Sequence, residues 1–182
     1  MSFKQFYLKE EEKYFYHGSA YDFDKFDMTK IGSGDGLNKY GYGLYFADNE
    51  ELAAYYAKEN SIGKTKANMI YTVKLYGLDT FYEWESETPE NIYACVIRKL
   101  EKRGLEGHAE EIKHDNEEYG DRWSIQNLYN WLKVVLKSEP KTTEFLYTCE
   151  LNGTIADDIH GRGKIYVAYS DDIIKIVDKR SL

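Results

Sequence analysis

The stretch Tyr40–Ala57 reads YGYGLYFADNEELAAYYA and holds two glycines, a β-type run and a helix start. Gly41 and Gly43 flank Tyr42, and Leu44-Tyr45-Phe46-Ala47 is the short apolar and aromatic run of a buried strand. Asp48, with Glu51 three residues on, has the form of a helix N-cap with a returning carboxylate. The helix that follows is expected to turn Leu52, Tyr55 and Tyr56 inward and to expose Glu50, Glu51 and Lys58. A strand that runs into a helix start is a good place to hold a ligand. Glycines beside it let backbone approach a flat or phosphorylated group closely.

The chain around this stretch has 182 residues, which predicts a single domain over 1–182 with room for a sizeable core. Its apolar content of 42% is that of a globular protein. Eighteen tyrosines favour β structure with an aromatic-lined site, and equally a core that uses Tyr in place of Phe. A net charge of −8 argues against broad wrapping on nucleic acid and leaves a small local site open. Cys95 and Cys149 are far apart and lack His or Cys neighbours at ligand spacing. Two buried thiols in a reducing compartment are therefore expected, with no disulfide framework and no metal. The N-terminus lacks the apolar core of a signal peptide, and no apolar run is long enough to span a membrane. These features predict a cytoplasmic protein without a membrane partner.

Taken in order, Glu12–Tyr16 alternates as a first strand and ends at His17-Gly18-Ser19. Phe3, Phe6 and Tyr7 before it are candidate anchors, and Phe23 and Phe26 after it are expected to pin the next segment to the core. Gly32, Gly34 and Gly36 make a loop that lacks the Gly-Lys-Ser/Thr of a phosphate-binding P-loop. Met69–Leu75 alternates as a strand. Residues 88–139 read as a helical insertion, with one helix from Pro89 and a second over Trp123–Leu136, stopped by Pro140. Between them, residues 108–120 read as charged and exposed. Phe145–Glu150 is a further candidate strand, residues 152–163 have loop composition, and Lys164–Tyr169 and Ile173–Val177 are the last strands.

His17-Gly18-Ser19, the GYGLYFAD of Gly41–Asp48, the AAYYA of Ala53–Ala57 and the late IYVAY occur in a telling order. Together they resemble the catalytic core of ADP-ribosyltransferases of the diphtheria-toxin and poly(ADP-ribose) polymerase type. Taken singly, a histidine after a strand or a tyrosine on a helix is more often structural, so the order and spacing carry the resemblance. It implies an α+β fold with a split antiparallel β core, flanking helices, and NAD in a cleft. It also implies that His17 bonds the adenosine ribose, that the Gly18 backbone holds the nicotinamide amide, and that Tyr45 and Tyr56 stack on the nicotinamide. Ser19 and Ala47 would line the pocket. Ala53 stands where relatives often carry an amide-bonding serine. Gly43 belongs to the glycine-flanked approach to the strand, and Lys39 is the candidate for the pyrophosphate, from its charge and position.

The chemistry agrees with such a site. Breaking the glycosidic bond of NAD develops oxocarbenium character at the ribose, so the nicotinamide has to be fixed and a nucleophile brought to the anomeric carbon. Active polymerases and many toxins place a glutamate at the third motif, where this chain has Ile165 with Lys164 beside it. Asp157, Asp158 and His160 read as solvated loop residues, with Asp157, Asp158 or Glu150 the carboxylates that could reach the site from a loop in place of that glutamate. The resemblance then implies a mono-ADP-ribosyltransferase, of toxin or effector type. Its acceptor would be a protein or a nucleic-acid base, Lys64, Lys66 and Arg162 offering a local basic patch, and a toxin would have a cognate antitoxin. An NAD glycohydrolase and a catalytically inactive binding module are the alternatives.

Overall fold

Leu44-Tyr45-Phe46-Ala47 forms a strand, and the chain turns from it directly into a helix. The computed structural model describes residues 13–31, 38–59, 68–119 and 122–182. The anchors at Phe3, Phe6 and Tyr7, the glycine loop at Gly32, Gly34 and Gly36, and Lys64 and Lys66 lie outside the described residues.

The strands are β1 (Phe15–Ser19), β2 (Leu44–Ala47), β3 (Met69–Leu75), β4 (Phe81–Glu83), β5 (Gly153–Asp157), β6 (Lys164–Ala168) and β7 (Ile174–Ser181). The helices are α1 (Glu50–Glu59), α2 (Glu90–Lys102), α3 (Glu106–Tyr119), α4 (Ile125–Leu136) and α5 (Glu139–Tyr147). The sheet order is β4-β5-β6-β2-β1-β3-β7. Neighbours are antiparallel except β4 and β5, which run parallel.

Alternation sorts the strand side chains onto two faces. Tyr45, Ala47, Ile70, Ile165, Val167 and Tyr169 join the helices in one buried cluster with Leu52, Ile92, Val96, Leu128 and Phe145. Phe15, Phe46, Tyr71, Val73 and Tyr166 face the other way and pack with Phe26. Phe23 stacks on Tyr71 at 4.2 Å between centroids, and its N–H donates to the Tyr71 hydroxyl at 2.7 Å. The segment after β1 is thereby pinned to this second face, as its two phenylalanines predict.

Several elements differ from the sequence reading. β1 starts later than expected and includes His17, Gly18 and Ser19 rather than ending before them. Asn49, not Asp48, caps α1: its Oδ1 accepts the Leu52 N–H at 2.9 Å, while Asp48 accepts from the Asn49 amide. Tyr55 stands at the surface of α1, and the inward positions are Leu52, Ala53 and Ala57. Residues 106–119 are a helix whose Ala109 and Ile112 reach the core, a narrow apolar face hidden among charges. Pro140 starts α5 rather than stopping α4, which ends at Lys137 in the left-handed region (φ 53). Phe145 and Leu146 therefore belong to a helix, capped by Ser138, and not to a strand. The loop composition of 152–163 conceals β5, which is held between β4 and β6. Cys95 and Cys149 are joined in a disulfide, which corrects the expectation of two free thiols. The composition argument for a reducing compartment goes with it.

Candidate active site

His17, Gly18, Ser19, Tyr45, Ala47 and Ile165 lie on the adjacent strands β1, β2 and β6 at the centre of the sheet. β1 and β2 share a single register pair, Tyr16 with Ala47. Continued in register, the ladder would set Gly18 opposite Tyr45 and Ser19 opposite Leu44, and those pairs are not formed. The sheet splits there. In place of the ladder, the His17 ring meets the Tyr45 carbonyl, with Nδ1 to oxygen at 2.8 Å. A carbonyl only accepts, so Nδ1 carries the proton and Nε2 of the neutral ring is left as an acceptor. Burial among aromatic rings holds the His17 pKa below its ordinary value, against the raising effect of the carbonyl. Phe26 meets the ring edge-on at 5.1 Å, and Phe46 lies 5.7 Å from it between centroids.

Tyr45 occupies the opposite face. Its hydroxyl accepts the Tyr40 N–H at 3.0 Å and donates to the Gly41 carbonyl at 2.8 Å. The ring thus locks the glycine turn that leads into its own strand. Burial pushes its pKa far up, so the phenol stays neutral. Gly41 needs its glycine: φ is +102, and a Cβ there would lie 2.9 Å from the Tyr169 hydroxyl.

Helix α1 closes the same side. A Cβ on Gly18 would come within 2.0 Å of the Ala53 carbonyl oxygen and 2.8 Å of the Ala57 nitrogen. Only glycine permits this approach of strand to helix. Ser19 is buried and its hydroxyl accepts the Tyr21 N–H at 3.0 Å, so it shapes the turn after β1. Ala47 is buried beside the split, and Gly43 lets β2 lie on Val167 and Ala168. Lys39 is exposed, with its ammonium 5.1 Å from the Tyr40 ring. Ile165 is 4% exposed and pairs with Ala47 and Ala156, so the third-motif position offers neither a lone pair nor a proton.

Tyr56 projects from α1 to the carboxylate of Asp158. Its hydroxyl donates to Asp158 Oδ1 at 2.9 Å. Asp158 is 4% exposed, which corrects its assignment as a solvated loop residue. It lies two residues beyond Ala156, the partner of Ile165, and so on the face of Tyr45 and Tyr56. Period-two counting back from β6 through a hairpin is the signal that finds it, and it needed β5 to be recognised as a strand. A cavity of about 280 Å³ between Met28, Tyr42, Thr143 and Tyr169 contains none of the predicted site residues.

The chain belongs to the ADP-ribosyltransferases: the family described as ADP-ribosyltransferase in polyvalent proteins matches residues 10–181. Nothing matches among curated proteins or among solved structures. The α+β architecture and the split at the centre of the sheet agree with this membership, and ADP-ribosyltransferases use NAD as their substrate. His17 lies beside Phe26, Phe46 and Tyr71 on one face of the sheet, Tyr45 and Tyr56 lie on the other, and the split is where the two faces meet. The split leaves the facing edges of Gly18–Ser19 and Leu44–Tyr45 without strand bonds to each other, where an amide can be bonded. His17 Nε2 is an acceptor a hydroxyl could use, and Tyr45 and Tyr56 are partly buried against the helical cluster. Among the described residues no group of three or more His, Cys, Asp or Glu side chains converges on a metal position. No helix among them is long and apolar enough to cross a membrane.

Proposed function

We propose that this chain transfers a single ADP-ribose from NAD to a macromolecular acceptor and releases nicotinamide. The carrying observation is the split between β1 and β2, where His17 bonds the Tyr45 carbonyl in place of a strand ladder. In this reading the Gly18 backbone bonds the nicotinamide amide, and Tyr45 and Tyr56 hold the ring between them. His17 Nε2 accepts from a ribose hydroxyl of the adenosine half. The bond from the anomeric carbon to the nicotinamide nitrogen breaks with its electron pair going to nitrogen, which loses its positive charge. The acceptor forms the new bond to that carbon and gives its proton to solvent.

Single transfer follows from Ile165. Chain growth needs a carboxylate to polarise a ribose hydroxyl as the next acceptor, and a buried isoleucine cannot do so. The acceptor is a protein side chain or a nucleic-acid base in a single strand. Excess negative charge favours the protein. A toxin or effector acting in the cytoplasm, held in check by an antitoxin protein, is the biological setting that this reading favours. The same isoleucine favours a second reading, an NAD-binding module without turnover.

Incubation of the chain and a cell extract with NAD labelled in the ADP-ribose half separates the outcomes. Label on a macromolecule, as a single unit by mass spectrometry, supports the transferase. Free labelled ADP-ribose without an adduct identifies an NAD glycohydrolase. Intact NAD, bound but not consumed, identifies the binding module.

A further inference from the structure

Asp158 sits at the start of the turn between β5 and β6, and its carboxylate accepts four hydrogen bonds. Oδ1 accepts the Tyr56 hydroxyl at 2.9 Å. Oδ2 accepts Arg162 Nε at 3.0 Å, the His160 N–H at 3.1 Å and the Arg162 N–H at 3.3 Å. The Asp158 side chain is fully buried, so a substrate hydroxyl does not reach it in this arrangement. Asp158 is therefore no substitute for a third-motif glutamate, and its burial needs another account.

The turn is rigid and tied to the strand–helix corner. Asp158 N–H donates to the Gly163 carbonyl at 2.8 Å, and Gly161 and Gly163 both have positive φ. The Asn49 amide donates to the Arg162 carbonyl at 2.9 Å, and the Asp48 N–H donates to the Lys164 carbonyl at 3.0 Å. The Arg162 guanidinium lies 3.6 Å from the centre of the Tyr55 ring. Two adjacent tyrosines of α1 are thus gripped from one turn, Tyr55 through its face and Tyr56 through its hydroxyl. A phenol held at its tip by a fixed anion has its ring plane set before any ligand arrives, which lowers the ordering cost of binding.

We propose that Asp158, braced by Arg162, is a positioning residue that presets the Tyr56 ring for the nicotinamide half of NAD. This rests on the function proposed above, since it takes Tyr56 as a wall of the nicotinamide site. Asp158 does not touch the substrate; it acts through Tyr56.

The test compares two ligands, NAD and ADP-ribose, which differ by the nicotinamide. Tyr56→Phe keeps the ring and all the bonds of the turn and removes one hydroxyl. By calorimetry it is expected to weaken NAD roughly fivefold while ADP-ribose changes less than about twofold, the scale of one lost hydrogen bond. Asp158→Ala is expected to weaken NAD in the same selective way. The double variant should be no weaker than Asp158→Ala, because both changes break one bond. A purely structural role for Asp158 predicts a lowered melting temperature in Asp158→Ala with no NAD-selective loss in Tyr56→Phe, and that result overturns the proposal. Tyr56→Phe decides the matter even if Asp158→Ala does not fold. If the unmodified chain binds neither ligand, the functional reading fails and the proposal fails with it. If it binds both and Tyr56→Phe weakens them equally or not at all, only the proposal fails.

Discussion

His17 shows how a single residue can be set by its surroundings to do one thing. Its Nδ1 is occupied by the Tyr45 carbonyl, and aromatic rings disfavour its charged form. The neutral ring therefore offers one acceptor, Nε2, and protonation would convert that acceptor into a donor. The pH dependence follows in sign. The folded pKa lies below the ordinary 6.5, so the unfolded chain takes the proton first as pH falls. Stability from the neutral ring is present above 6.5 and is lost as pH falls below it. NAD binding should be flat from pH 8 down to the lowered pKa, then weaken by roughly fivefold as the acceptor is lost. A titration of the NAD dissociation constant against pH checks this. His17→Gln should bind more weakly at neutral pH and lack that acid limb. A limb that survives in His17→Gln would assign the titration to another group.

At the scale of elements, the site depends on how closely α1 approaches β1. Gly18 has no side chain because the Ala53 carbonyl and the Ala57 backbone occupy that space. In Gly18→Ala the clash is with backbone, which cannot rotate away, so α1 must lift from the strand. A loss of roughly 2–3 kcal/mol is expected from such overpacking. NAD binding should fall further than stability alone explains, since Tyr56 moves with the helix. Urea denaturation and calorimetry on the same preparation measure the two effects, and an unchanged NAD affinity would separate Tyr56 from the site. The strand and the helix after it were legible in the sequence because both lie within Tyr40–Ala57, although Asn49 rather than Asp48 is the cap and Tyr55 faces outward. The same was true of β3, whose apolar run and partial alternation over Met69–Leu75 lie within one segment. What escaped was non-local. β5 is a strand only because β4 and β6 hold it, and its Gly153 and exposed Asp157 carry no β signal of their own. Phe145 and Leu146 read as a strand until Ser138 and Pro140 are recognised as the start of a helix. With β5 unseen, Asp158 could not be placed on the face of Tyr56.

Across the whole molecule, the sheet and the helices α2–α5 form one buried cluster, and the disulfide lies within the helical half of it. Cys95 is on α2, and Cys149 follows the last turn of α5, 54 residues on. Both cysteines belong to the buried cluster with Val96, Phe145 and Leu146, which also takes in Ala47 of β2 and Leu52, Ala53 and Ala57 of α1. A cross-link over so long a loop restricts the unfolded chain and is worth about 2–4 kcal/mol. For a chain of this size that corresponds to a fall in melting temperature of roughly 5–15 °C on reduction. Because the link ties α2 to the end of α5 and joins no residue of β1, β2 or α1 covalently, reduction should leave NAD affinity within about twofold. Thermal melts and NAD calorimetry with and without dithiothreitol, and on Cys95→Ser, test this separation. A melting temperature that does not move would mean that the buried pair contributes packing alone. A large loss of NAD affinity at unchanged fold would mean that the helical half is coupled to the split, with α1 as the element through which both are felt.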